Sequence, residues 1–143
     1  MQGKFDAVPR SQLEGQKAGV VAYRRAAQTS YEILIITARQ HHYSWIFPVG
    51  TVDPKETLEQ AAARECMEES GYMVETGPLL KVIELEGKRK TNRFSFFAAQ
   101  VTGEVAEYET DRQRRWIPLS ELTDTVAEAF SPVAQSAVKY LSS

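Results

Sequence analysis

Residues 64 to 71 read RECMEESG, and three glutamates, Glu65, Glu68 and Glu69, fall within five positions. On a helix they stand at i, i+3 and i+4, so they share one face and lie within reach of one another. Like charges placed so cost an isolated helix roughly 0.2–0.5 kcal/mol per pair. No lysine or arginine relieves them four residues on, where Glu69, Tyr72 and Met73 stand. One turn earlier on the same arc are Ala61 and Ala62, small enough to let another element come close. Two readings fit this cluster. It is a solvated acidic face, or it is a site for a hard divalent cation, because Mg²⁺ prefers carboxylate and carbonyl oxygens and keeps several waters. Cations held there reverse the local sign of charge, neutralise a diphosphate and acidify water for attack on it.

A helix over 58–70 has to position these side chains, and its ends are written in the sequence. Thr57 followed by Gln60 is a capping-box pattern, LEQAAARECMEES is made of good helix formers, and Gly71 is placed to stop it. Before it, VGTVDPKE (49–56) carries the glycine, aspartate and proline of a structured loop. KAGVVAYR (17–24) and YEILIITA (31–38) read as two strands of a hairpin, and WIF (45–47) as a short third strand halted by Pro48. LLKVIELE (79–86), RFSFFAAQV (93–101) and RRWIPL (114–119) also have strand composition. SELTDTVAEAF (120–130) opens with a short helix, and Ser131 and Pro132 supply the N-cap and first turn of a last one. The order lacks the regular alternation of a doubly wound parallel sheet and predicts an α+β fold, a mixed sheet with helices on its faces.

The composition sets bounds. A chain of 143 residues, 43% apolar and 25% charged, is one domain over 1–143 of ordinary globular type. No membrane-spanning or signal segment is visible, so a cytoplasmic protein is expected. The one cysteine, Cys66, has no internal disulfide partner and reads as a small residue packed inward, not as a nucleophile. A net charge of −2 argues against binding a nucleic-acid polymer. The basic residues nevertheless cluster: Lys88, Arg89, Lys90 and Arg93 in one window and Arg112, Arg114 and Arg115 in another hold seven of the 17. These windows either line the mouth of a phosphate pocket or are solvated loops. His41, His42 and Tyr43 are either a surface loop or groups that stack on a nucleobase or touch phosphate, and Trp45 and Trp116 read as core aromatics.

The spacing upstream of RECMEESG discriminates between the readings. Gly50, five residues, Glu56, seven residues and then Arg64-Glu65-Cys66-Met67-Glu68-Glu69-Ser70-Gly71-Tyr72 match all nine defined positions of a 23-residue pattern. That pattern is the Nudix box, G-x5-E-x7-R-E-U-x-E-E-x-G-U, with U a bulky apolar residue. Cys66 and Tyr72 are its slightly unusual apolar occupants. The chain therefore resembles the Nudix hydrolases. WIFPVG, RRWIPLSEL and SPVAQSAVKYL look like the branch that holds the diphosphoinositol polyphosphate phosphohydrolases and their dinucleoside polyphosphate-hydrolysing relatives.

The resemblance implies the Nudix fold, a mixed β-sheet sandwiched between α-helices, and a Mg²⁺- or Mn²⁺-dependent hydrolase of diphosphate linkages. It puts Glu65 and Glu69 on the metal, Glu68 on the metal or as the base that deprotonates water, and the backbone carbonyls of Val49 and Gly50 among the ligands. Glu56 and Arg64 complete the catalytic set as an ion pair holding loop to helix. Where relatives carry three glycines this chain has Val49-Gly50-Thr51, which predicts a stiffer loop. Lys17, Arg39, Lys88, Arg89, Lys90, Arg93 and Arg112 fall where the branch holds substrate phosphates. Ser131 replaces a lysine of some relatives, which favours a dinucleoside polyphosphate, such as diadenosine penta- or hexaphosphate, over a densely phosphorylated inositol. An ADP-ribose-type substrate and a non-catalytic nucleotide-binding module remain as alternatives. A small-molecule partner, no membrane, and a monomer or homodimer complete the expectation.

Overall fold

A computed structural model describes residues 15–87 and 89–142. Seven strands form one sheet: β1 (Gln16–Ala27), β2 (Ser30–Thr37), β3 (Trp45–Ile46), β4 (Val49–Thr51), β5 (Tyr72–Glu86), β6 (Thr91–Glu104) and β7 (Arg114–Pro118). Helix α1 (Leu58–Ser70) lies between β4 and β5; α2 (Leu122–Thr125) and α3 (Ser131–Leu141) close the chain, each preceded by a 3₁₀ turn. The sheet is mixed, because β1 pairs antiparallel with β2 and β4 but parallel with β6.

Alternation along the strands makes two cores. Ala18, Val20 and Ala22 of β1, with Leu34, Phe97 and Ala99, pack against Ala61, Ala62 and Cys66 of α1. Val21, Ile33, Ile35 and Phe96 face the other way, onto Leu122, Phe130, Val133, Ala134 and Ala137. The sheet thus lies between α1 and the α2–α3 pair, as the period-two pattern requires. The two layers differ in kind. On the α1 side alanines meet alanines, which brings helix backbone close to strand backbone; on the α3 side Phe47, Phe94, Phe96 and Phe130 fill the space with ring-to-ring contacts.

Several boundaries differ from the sequence reading. The stretch 49–56 is not all loop, since β4 pairs with β1 (Lys17 opposite Thr51, Gly19 opposite Val49). β5 begins at Tyr72 instead of residue 79, because bulges around Thr76–Lys81 absorb Gly77 and Pro78 in an edge strand. Ser131 is the first helical residue of α3, its N-cap is Phe130, and no side-chain cap bond is made. The capping box of Thr57 and Gln60 and the left-handed stop at Gly71 (φ 80°) are both formed. Among the described residues no helix is long and apolar enough to cross a membrane.

Candidate active site

One edge of β1 is shared by two partners, and this places the site. Residues 23–27 of β1 pair with β2, and residues 17–19 pair with β4, while the opposite edge runs along β6. β4 is thereby fixed to the sheet directly beside α1. Register puts Gly50 opposite Ala18, on the face that α1 covers. The approach is so close that a Cβ on residue 50 would stand 1.5 Å from Glu65 Oε2. A side chain at residue 50 would push the Glu65 carboxylate out of this position.

The connection from β4 to α1 folds around Arg64. Asp53, Pro54, Lys55 and Glu56 make a turn closed by the Glu56 N–H on the Asp53 carbonyl at 3.1 Å. Proline at its second place and a positive φ (72°) at Lys55 make it a type II turn. Glu56 then accepts from Arg64 Nε at 2.7 Å and Nη2 at 3.0 Å, and from the Asp53 N–H at 2.9 Å. Arg64 also donates to the Thr51 carbonyl at 2.9 Å and to Glu68 at 3.1 Å. The guanidinium beside it holds the Glu56 carboxyl below the usual range, and Glu56 in turn raises Arg64. This is the loop-to-helix ion pair that the box implies.

The three glutamates are not equivalent. Glu68 is 45% exposed and turned toward Arg64. Glu69, 7% exposed, accepts the Val49 N–H on Oε1 at 2.9 Å and faces Arg112 Nη2 with Oε2 at 2.7 Å. Glu65 sits against Gly50 with a longer ion pair, 3.7 Å, to Arg64 Nη1. Burial, with the charge of Glu69 adding, pushes its carboxyl up to about 7, Arg64 pulling only partly against this. Burial also raises Glu69, opposed by Arg112 and by the Val49 N–H.

Among the described residues no three carboxylates converge into a finished metal cluster. The donor set nevertheless fits a hard divalent cation. It consists of carboxylate and backbone oxygens, with Glu65 packed against Gly50. Glu65, Glu68, Glu69 and the carbonyls of Val49 and Gly50 are the groups that would hold it.

The predicted phosphate-binding residues separate into three places. Lys17 donates to Thr51 Oγ1 at 2.9 Å, one strand from β4. Arg93 lies one strand further, opposite Gln16, and the β5–β6 tip with Arg89 and Lys90 touches the start of β1, where the Arg93 N–H donates to the Gly15 carbonyl at 2.6 Å. At strand spacing, these positions lie about 10 Å from β4. Lys88 falls outside the described residues. Arg39 is paired with Glu109 (2.7 Å) and Asp111 (3.6 Å).

Arg112 is a correction. Expected on a rim, it is instead buried, with its side chain 3% exposed against Glu69. Its second carboxylate is Glu109, at 3.4 Å. A buried guanidinium requires carboxylate partners, and Glu69 equally requires a cation. Arg114 is not at a mouth either: it donates to the Ser70 carbonyl and stacks on Tyr72 and Tyr108. The sequence reading missed Glu109, a fourth carboxylate whose charge bears on both Glu65 and Glu69. Its one signal was the acidic run EYETD immediately before the basic RQRR.

The profile described as the NUDIX domain matches residues 15–139. Diphosphoinositol polyphosphate phosphohydrolase 3-alpha of Mus musculus is 29% identical over 110 residues, 74% of this chain and 65% of that protein. Diphosphoinositol polyphosphate phosphohydrolase 2 of Rattus norvegicus is 27% identical over 110 residues, 59% of its length. The chain thus spans less than two thirds of these relatives. Among solved structures, a C. elegans Ap4A hydrolase superposes with a TM-score of 0.67 at 23% identity, covering 88% of this chain and 97% of that one. A Nudix hydrolase from M. smegmatis gives 0.68 at 18% identity, covering 98% and 88%. With the box complete, its glycine and ion pair in place, and the fold shared, the chain belongs to the Nudix family.

Proposed function

We propose that the protein hydrolyses a diphosphate linkage in a polyphosphorylated small molecule with the help of Mg²⁺ or Mn²⁺. The observation that carries this is Glu65, seated against Gly50 with Glu68 and Glu69 beside it on one helix turn, the β4–α1 loop held to that helix by the Glu56–Arg64 ion pair. When bound, the cation supplies neutralisation of phosphate charge and acidification of water. Glu65 and Glu69 would hold it, with the Val49 and Gly50 carbonyls. Glu68, the most exposed of the three, takes the proton of the attacking water. Glu56 and Arg64 keep β4 and α1 at fixed separation. Lys17, Arg93 and the Arg89–Lys90 tip receive the phosphates beyond the scissile bond.

Dinucleoside polyphosphates fit best. Diphosphoinositol polyphosphates call for a dense basic rim, and two of its expected members, Arg39 and Arg112, are engaged with carboxylates. A panel of diadenosine hexaphosphate, diphosphoinositol pentakisphosphate and ADP-ribose, incubated with Mg²⁺ and read by phosphate release or product chromatography, orders the candidates. Glu68→Gln is expected to lower kcat by about 10²–10⁴-fold with the fold retained. No turnover of any substrate, together with tight binding of one, would instead establish a nucleotide-binding module.

A further inference from the structure

Helix α1 carries no basic residue in its last turn, although its C-terminus gathers partial negative charge and unpaired carbonyls. A distant segment supplies both needs. The Glu68 carbonyl accepts the Glu109 N–H at 2.8 Å, the Gly71 carbonyl accepts the Val105 N–H at 2.7 Å, and the Ser70 carbonyl accepts from Arg114. The Tyr108 ring lies on Gly71, where a Cβ would meet it at 2.6 Å. Arg112 completes the set, bridging Glu69 of the helix (2.7 Å) and Glu109 of the loop (3.4 Å). Its Nη1 reaches the Thr37 carbonyl at 3.5 Å, while its Nε is buried without a partner. An arginine with an unmet donor is held there by its carboxylates, not by general packing.

We propose that Arg112 is a positioning residue: it acts through Glu69, fixing the glutamate helix and the Glu109 loop as one carboxylate cluster, and does not touch substrate phosphate. This rests on the metal-site reading above, which the wild type's own response to metal tests, and positioning is separable from mere charge by sign. Removing a cation 2.7 Å from Glu69 leaves the cluster more negative, so an electrostatic neighbour, once lost, tightens metal binding. Loss of a positioning residue weakens it, typically by about ten-fold or more for a group behind the metal ligands.

The experiment measures the Mg²⁺ and Mn²⁺ concentrations that give half of the metal-induced rise in Tm, for wild type, Arg112→Gln and Arg112→Lys. Arg112→Lys keeps the charge without the fork, so it reports even where Arg112→Gln does not fold. Expected are midpoints raised by about ten-fold in Arg112→Gln and by less in Arg112→Lys. With turnover, kcat falls while KM stays level for short and long polyphosphates. A tightened or unchanged midpoint, or a KM that climbs with phosphate number at constant kcat, overturns the proposal. A wild type indifferent to both metals overturns the metal-site reading itself, and the proposal with it.

Discussion

Glu65 has a titration that runs against the usual direction for a surface acid. Its carboxyl stands at about 7 in the folded chain against an ordinary 4.5, because burial and Glu69 favour the proton. A raised acid stabilises the fold fully below its unfolded value and loses that contribution as pH rises through the folded one. The metal-free protein is therefore expected to lose Tm between about pH 5 and 8, with Glu65→Gln flattening the slope. Glu56 works oppositely: lowered by Arg64, it stabilises above its ordinary range and is lost on acidification. Thermal melts with chelator across this range, on wild type and Glu65→Gln, check the sign. A wild-type Tm rising steadily from pH 5 to 8 would contradict it. On the proposed metal site, Mg²⁺ added in place of chelator should raise Tm most on the alkaline side, where Glu65 is charged.

Between elements, the critical distance is that of β4 from α1. Gly50→Ala drives a Cβ to 1.5 Å from Glu65 Oε2, so either the strand or the carboxylate must move. Activity is expected to fall by about 10²-fold or more through misplacement, while far-ultraviolet dichroism stays that of the wild type. Wild-type kinetics in this variant would show that the glycine is not needed for the approach. How much of this was legible follows from its range along the chain. The cap at Thr57, the stop at Gly71 and the spacing from Gly50 to Tyr72 are local rules, and the helix appeared as read. β4 reads as loop in the sequence because three residues have no strand character of their own and exist as a strand by pairing with β1. Glycine and proline hid the first half of β5, which tolerates them through bulges at an edge. Arg112 was misplaced because a basic cluster reads alike whether it faces solvent or a carboxylate 43 positions upstream.

Over the whole molecule, the site leans on one core and stability on the other. Phe130 touches Phe47, Phe94 and Phe96 on the face away from α1. Phe130→Ala is expected to cost about 3–5 kcal/mol and to lower Tm by roughly 10–17 °C. KM at low temperature should hold, since these rings belong to the core on the face away from α1; calorimetry and kinetics on the same sample test both halves. The parallel pairing of β1 with β6 has a consequence for how the chain comes into being. Tyr23 waits for Gln100, and Glu69 waits for Arg112, so during synthesis the β1–β2 hairpin and the acidic helix emerge long before the partners that complete them. Closing such loops is slow relative to local helix and hairpin formation. The nascent protein therefore carries Glu69 without its guanidinium, Arg64 tempering only Glu65 and Glu68, until the segment bearing Arg112 has left the ribosome.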